Sequence, residues 1–179
     1  VRQDAAMNGI EIVVLHPQSW ARARAVRLAA LTADPHAYGA RAEGEAKLNE
    51  NQWRERIERD LCVVATVNGS DVAIMNVAPT VPPLVEPSCP FDLLTCAWAY
   101  GCWVTPAMRG QRIPAKFVDF LDHLAPERGW TNLGLGVFVE NHTAKRVYER
   151  LGFAVRTEPL ESSLRPGTFF QPMFRPVAD

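Results

Sequence analysis

Hydrophobic positions along the chain follow two periods, and the switches between them lay out the elements. "IEIVVL", from Ile10 to Leu15, is a short β-branched run and predicts a strand. Ser19 then offers a cap to a helix beginning near Trp20, with Ala21, Ala25 and Leu28 on one face and Arg22 and Arg24 off it. Pro35 and Gly39 in "TADPHAYGAR" break the pattern, and a second helix runs through Trp53 and Ile57. In "LCVVATVNGSDVAIMNV" two β-rich runs flank Asn68-Gly69, a dipeptide suited to the positive φ angles of a tight turn, so an antiparallel hairpin is expected.

Five prolines between Pro79 and Pro90 exclude regular structure until "LLTCAWAYGCWV", which reads as another strand. The Pro-rich stretch is either a plain surface connection or a lid over a substrate site. From Pro114 a helix places Phe117, Val118, Leu121 and Leu124 on one face and Asp119 and Asp122 on the other, with Pro126 and Gly129 marking its end. "TNLGLGVFV" alternates as a strand does, and Gly134 and Gly136 on one face leave room for a packed helix or a ligand to approach. The following helix is the best defined: Asn141 can cap it, Ala144, Val147, Tyr148 and Leu151 share a stripe, Gly152 suits a left-handed stop, and Phe153 can pack back on the last turn. "FAVRTEP" and "TFFQPMF" are late β-like runs. Strands before, between and after helices, with at least one hairpin, predict an α/β domain with a mixed sheet.

Composition narrows the function classes. The 179 residues suit a single domain spanning 1–179. With 19 basic against 20 acidic residues, neither nucleic acid nor an anionic membrane is expected as a partner, and any anion site must be local. No apolar run approaches the ~20 residues of a membrane span, and the opening stretch lacks the pattern of a secretory leader, so a cytoplasmic protein is expected. Cys62, Cys89, Cys96 and Cys102 form no CxxC pair and have no His at zinc spacing; reduced thiols and no metal site are expected. Cys96 and Cys102 are read as sharing a strand face.

"VTPAMRGQRIPAK", from Val104 to Lys116, has the form of a strand, a turn and a helix start that presents backbone N–H groups to a phosphate. Together with "DPHAYGA" after the first helix and "VFVENHTAKRVYERLGF", it makes the chain resemble the GNAT superfamily of N-acyltransferases over nearly its whole length. The last stretch is the most specific, because Asn141, Ala144, Tyr148 and Gly152-Phe153 match in order and spacing.

That resemblance implies a twisted, mostly antiparallel mixed sheet of about six to seven strands flanked by about four helices. It also implies two parallel strands, ending at Val104 and Val139, that splay to admit the pantetheine arm of acetyl-CoA. The cofactor contacts it implies come from Trp103, Val104, Arg109, Gly110, Gln111, Arg112, Ile113 and Ala115, and from Asn141, Ala144 and Tyr148. Tyr148 would also be the general acid for the departing thiolate. Acceptor contacts are expected from Tyr38, Trp98 and Tyr100.

Two features depart from the family pattern. Arg112 and Pro114 stand where the phosphate loop usually carries small residues, and "TCAWAYGCWV" has no carboxylate to act as base; Glu86, Glu140, His36, His123 and His142 are the substitutes elsewhere in the chain. The expected activity is acetyl-CoA-dependent N-acetylation of a small primary amine by direct attack on the thioester, by a protein that resembles families in which homodimers are common. The alternatives are a GNAT-like scaffold that no longer uses acetyl-CoA and handles another small molecule, such as a specialised-metabolism intermediate, and a non-catalytic binding module.

Overall fold

In a computed structural model, residues 9–178 are described. The opening stretch 1–8, on which the reading of the leader rests in part, lies outside them. Strand β1 (Ile10–Leu15) pairs antiparallel with β2 (Leu61–Val67), which turns back into β3 (Ser70–Ala78). Asn68 and Gly69 make that turn at φ 50° and 77°, the left-handed pair the dipeptide predicts. Next come β4 (Cys96–Val104), β5 (Asn132–Phe138), the two-residue strands β6 (Ala154–Val155) and β7 (Leu160–Glu161), and β8 (Phe169–Pro176). Their order is β1-β2-β3-β4-β5-β8-β6, with β7 also on β8, and only the β4–β5 pair is parallel.

The helices are α1 (Trp20–Ala33), α2 (Ala42–Glu45), α3 (Glu50–Arg59), α4 (Ile113–Arg128) and α5 (His142–Arg150). The expected mixed, mostly antiparallel class holds. The larger element counts come from the one-turn α2 and the two-residue strands, which are too short to leave a periodic signal.

Alternation along the strands separates two layers of core. Val63, Ala65, Ala73, Met75 and Val77 pack with α4 and α5, whereas Cys62, Val64 and Ile74 pack with α1 and α3 on the opposite face. In α4 the buried residues are Ile113, Phe117, Val118, Leu121 and Ala125; Pro126 falls inside the last turn rather than ending the helix, and Gly129 at φ 69° ends it.

Three expectations need correction. The buried stripe of α1 is Ala23, Val26, Arg27, Ala30 and Leu31, not Ala21, Ala25 and Leu28, and Ser19 makes no side-chain cap. A stripe containing an arginine is not recognised by apolar periodicity, so the apparent face was rotated. Cys96 and Cys102 lie on opposite faces, because the β3–β4 register shifts between Ile74 and Asn76 and Gly101 adopts φ +65°. Cys96 therefore packs with Trp98 and Phe174, while Cys102 packs against the α4 side.

On the glycine face of β5, rings from β4 and β8 make the close approach. A Cβ on Gly134 would stand 2.8 Å from Trp98 Cε3 and 2.9 Å from the Phe174 ring, and one on Gly136 would stand 2.7 Å from Phe170 Cδ2. Gly134→Ala is therefore expected to lower stability by about 1–3 kcal/mol, because the rings cannot move without disturbing the core, and urea unfolding measures it.

Candidate active site

Parallel pairing of β4 and β5 runs only from Cys96 opposite Asn132 to Ala99 opposite Leu135. Past that point each strand keeps its antiparallel neighbour and loses the other, so the two separate. The gap is a cavity of about 90 Å³ walled by Gly101, Cys102, Gly136, Phe138, Asn141 and Tyr148, among others. At the bulge the β3–β4 ladder is interrupted, and Gly101 and Cys102 there line this gap.

Tyr148 reaches the gap from α5, whose start is fixed by Asn141: the side-chain oxygen accepts from Ala144 N–H at 3.0 Å. At the other end Gly152, at φ 86°, turns the chain so that the Phe153 ring meets Tyr148 edge-on at 5.7 Å. Only 8% of Tyr148 is exposed. Burial first, and then the neighbouring Cys102 thiol, push the Tyr148 hydroxyl well above its usual range. Burial also raises Cys102, to about 11. Both groups keep their protons at neutral pH, so Tyr148 is a hydrogen-bond donor there. Tyr38 closes the gap from the loop after α1, donating its hydroxyl to the Cys102 carbonyl at 3.1 Å.

Two larger cavities share walls with the gap. One, of about 400 Å³, lies between the end of β4, the start of α4 and α5, and brings together Trp103, Val104, Arg109, Asn141, Ala144 and Tyr148. The other, of about 620 Å³, is lined by Tyr38, Trp98 and Tyr100 together with Arg27, Gly101 and the Pro-rich segment 79–83. Six of the residues expected to hold a cofactor thus line one cavity and the three expected to hold an acceptor line the other, with Tyr38 on the wall of both.

The loop ahead of α4 resolves how the unusual residues are accommodated. Arg112 takes φ +56° as the N-cap and Gly110 takes +82°, so the arginine adopts the left-handed conformation that glycine favours. Among the described residues, the backbone N–H groups of Gly110, Arg112 and Ile113 have no intrachain acceptor, and Pro114 contributes none. Gly110, Gln111 and Arg112 are exposed, whereas the Ile113 side chain is fully buried under the sheet and offers only its backbone. Arg109 turns away from the loop: its guanidinium donates to the Val104 carbonyl at 3.2 Å and pairs with Asp34, which also accepts from the Trp103 indole at 2.8 Å.

The possible bases are scattered. Glu140 and His36 line a cavity of about 470 Å³ beside the gap, whereas His123 contacts the Asp119 carbonyl on the outside of α4 and Glu86 sits in the Pro-rich segment. Sequence reasoning missed the buried charges of the 620 Å³ cavity. Arg27 donates to Glu45 at 3.1 and 3.2 Å, Arg56 adds a third bond to Glu45 at 2.9 Å, and Asp60 accepts from Arg59 and from the Tyr100 hydroxyl at 2.6 Å. One signal was available for the bulge: a lone glycine, Gly101, inside a strand pattern. Among the described residues no cluster of three or more His, Cys, Asp or Glu could hold a metal, and no helix is long and apolar enough to cross a membrane.

Comparison with known proteins identifies the family. A family model described as the acetyltransferase (GNAT) family matches residues 26–153. No curated protein matches the chain. Similar solved structures include an acetyltransferase of the GNAT family from Streptococcus pneumoniae, with TM-score 0.72, 13% identity, and coverage of 94% of this chain and 99% of that one. YncA of Salmonella typhimurium, solved with its cofactor acetyl-CoA, aligns at TM-score 0.69 and 16% identity over 96% of each chain. Spermidine N-acetyltransferase from Vibrio cholerae, in complex with CoA and spermine, aligns at 0.68 and 10% identity over 95% of this chain and 96% of that one.

Proposed function

The chain belongs to the acetyltransferase (GNAT) family, and from that premise we propose that it is an acetyl-CoA-dependent N-acetyltransferase acting on a small primary amine by direct attack. The observation that carries this reading is the buried Tyr148 hydroxyl standing in the gap between the separating strands β4 and β5, with a cavity on either side. Acetyl-CoA, when bound, supplies the acetyl group as a thioester. Its pyrophosphate fits the start of α4, where three unpartnered N–H groups, the positive end of the helix dipole and the exposed Arg112 guanidinium converge. Arg109, held by Asp34, acts as a brace for this loop rather than as a phosphate ligand.

The amine approaches from the 620 Å³ side as the neutral base, past Tyr38 and Tyr100. With acetyl-CoA bound, attack of that nitrogen on the thioester carbonyl would break the carbon–sulfur bond, and the nitrogen's surplus proton would pass to solvent. Tyr148 would donate a hydrogen bond to the sulfur as negative charge develops on it. Binding and orientation supply much of the rate, and no strand carboxylate is required once the amine arrives deprotonated.

Release of free CoA thiol, followed across a panel of amines with acetyl-CoA as donor, tests the activity. Amine-dependent release supports it; tight acetyl-CoA binding without acetylation of any amine would leave only the fold. Arg112→Gly separates the two effects of that residue. The variant is expected to be more stable by about 0.5–1 kcal/mol, because the left-handed backbone is relieved, yet to bind acetyl-CoA more weakly through loss of the guanidinium. Thermal unfolding and calorimetry read these opposite signs.

A further inference from the structure

Five charged residues line the 620 Å³ cavity, and their hydrogen bonds leave one buried donor unspent. Both carboxylates are occupied: Glu45 accepts from Arg27 and Arg56, and Asp60 accepts from Arg59 and Tyr100. Three arginines against two carboxylates leave the wall with one net positive charge. Arg27 is the most deeply buried of the three. Arg27 is 7% exposed, its Nε and Nη2 are held by Glu45, its guanidinium lies 4.9 Å over the Tyr38 ring, and its Nη1 is buried without any partner. A buried charged donor left unbonded is costly, and ligand-binding sites are where such costs are commonly retained.

Nη1 also lies beside the bulge at Gly101. It lies 3.1 Å from where a Cβ on Gly101 would stand, and Gly101 is on the wall of both the 620 Å³ cavity and the gap beside Tyr148, so Arg27 packs against the backbone where the two meet. Resting on the acetyltransferase reading, we infer that the acceptor is a compact amino acid whose carboxylate, or an equivalent acidic group, is bound by the Arg27 guanidinium while its amine enters the gap. A polyamine is the opposite of what this wall selects, since each oxygen of both carboxylates already accepts from an arginine.

The test compares acids with their amides. Common L-amino acids, β-alanine, the carboxamide of each one that responds, and spermidine as cationic control are titrated calorimetrically into the intact protein, with and without acetyl-CoA. Thiol release is recorded in parallel. The wild-type protein is expected to prefer the acid over its carboxamide by about ten- to a hundredfold, the range of one hydrogen bond to a charged group. Arg27→Gln is expected to bring that ratio close to one, and Arg27→Lys to retain part of it; a merely structural arginine would leave the ratio unchanged. If Arg27→Gln does not fold, the wild-type ratio and Arg27→Lys still decide.

Acetylation of amides or spermidine in preference to acids would overturn the inference and leave the acetyltransferase reading intact. Acid-selective binding without acetyl-CoA turnover would do the reverse. Binding of none of the probes, in the presence or absence of acetyl-CoA, would overturn the inference.

Discussion

Tyr148→Phe is expected to lower kcat by about ten- to a hundredfold while leaving the affinity for acetyl-CoA within about twofold of the unmodified protein. The substitution removes one oxygen from a ring that is otherwise fixed by Phe153 and by the α5 helix, so shape and packing are preserved. What is lost is a donor whose proton is held far into alkaline pH by burial and by the neighbouring Cys102. Charge on sulfur develops only as the carbon–sulfur bond breaks, so the deficit belongs in kcat rather than in ground-state binding. Steady-state kinetics with saturating acetyl-CoA, paired with calorimetry, separates the two. A loss confined to affinity would assign Tyr148 to cofactor packing, and an unchanged kcat would remove it from the chemistry.

Glu45→Ala has the largest expected effect on stability, about 3 kcal/mol. Its carboxylate is the shared acceptor of Arg27 and Arg56, and Arg27 is almost wholly buried. Removing it leaves a desolvated guanidinium without a counter-charge, a far more costly change than losing a surface ion pair. The same cluster fixes a pH dependence. Burial raises the Glu45 pKa, but hydrogen bonds and charge from Arg27 and then Arg56 outweigh it, so the net value is lowered. A depressed folded-state pKa contributes stability that is complete above the unfolded value of about 4.3 and is lost as pH falls below it through the folded value. Urea unfolding of the unmodified protein should therefore weaken below about pH 4.3, and Glu45→Gln should be less stable at neutral pH but show a shallower acid decline.

How much of this was legible in the sequence depends on whether a feature was local. The α5 segment could be read almost to the residue, because an Asn cap, a 3.6-residue apolar stripe and a left-handed glycine stop all lie within a dozen positions. The Asn68-Gly69 hairpin was equally plain. The face of α1 was not, since the residue on its buried stripe that matters most, Arg27, is charged and becomes acceptable there only by meeting Glu45 from a different helix. The reading of Cys96 and Cys102 as face-sharing failed on a single inserted residue at Gly101, which inverts the alternation for the rest of β4. Gly134 and Gly136 were correctly singled out as close-approach positions, but the rings that approach come from β4 and β8, and strand neighbours are fixed by topology rather than by spacing.

Arg112 shows the same limit from another side. Its side chain departs from the family pattern, whereas its backbone keeps the left-handed conformation that glycine would supply, and only φ reveals this. Pro114 removes a donor, yet it sits in the first turn of α4, and the N–H groups of Gly110, Arg112 and Ile113 remain free among the described residues. The loop is altered in chemistry more than in shape.

The central claim is that this loop and the gap between β4 and β5 together hold acetyl-CoA. Calorimetric titration of the purified protein with acetyl-CoA tests it most directly. The account predicts saturable binding at one site per chain with a micromolar dissociation constant, and absence of heat at millimolar acetyl-CoA, with the same silence by equilibrium dialysis, would contradict it.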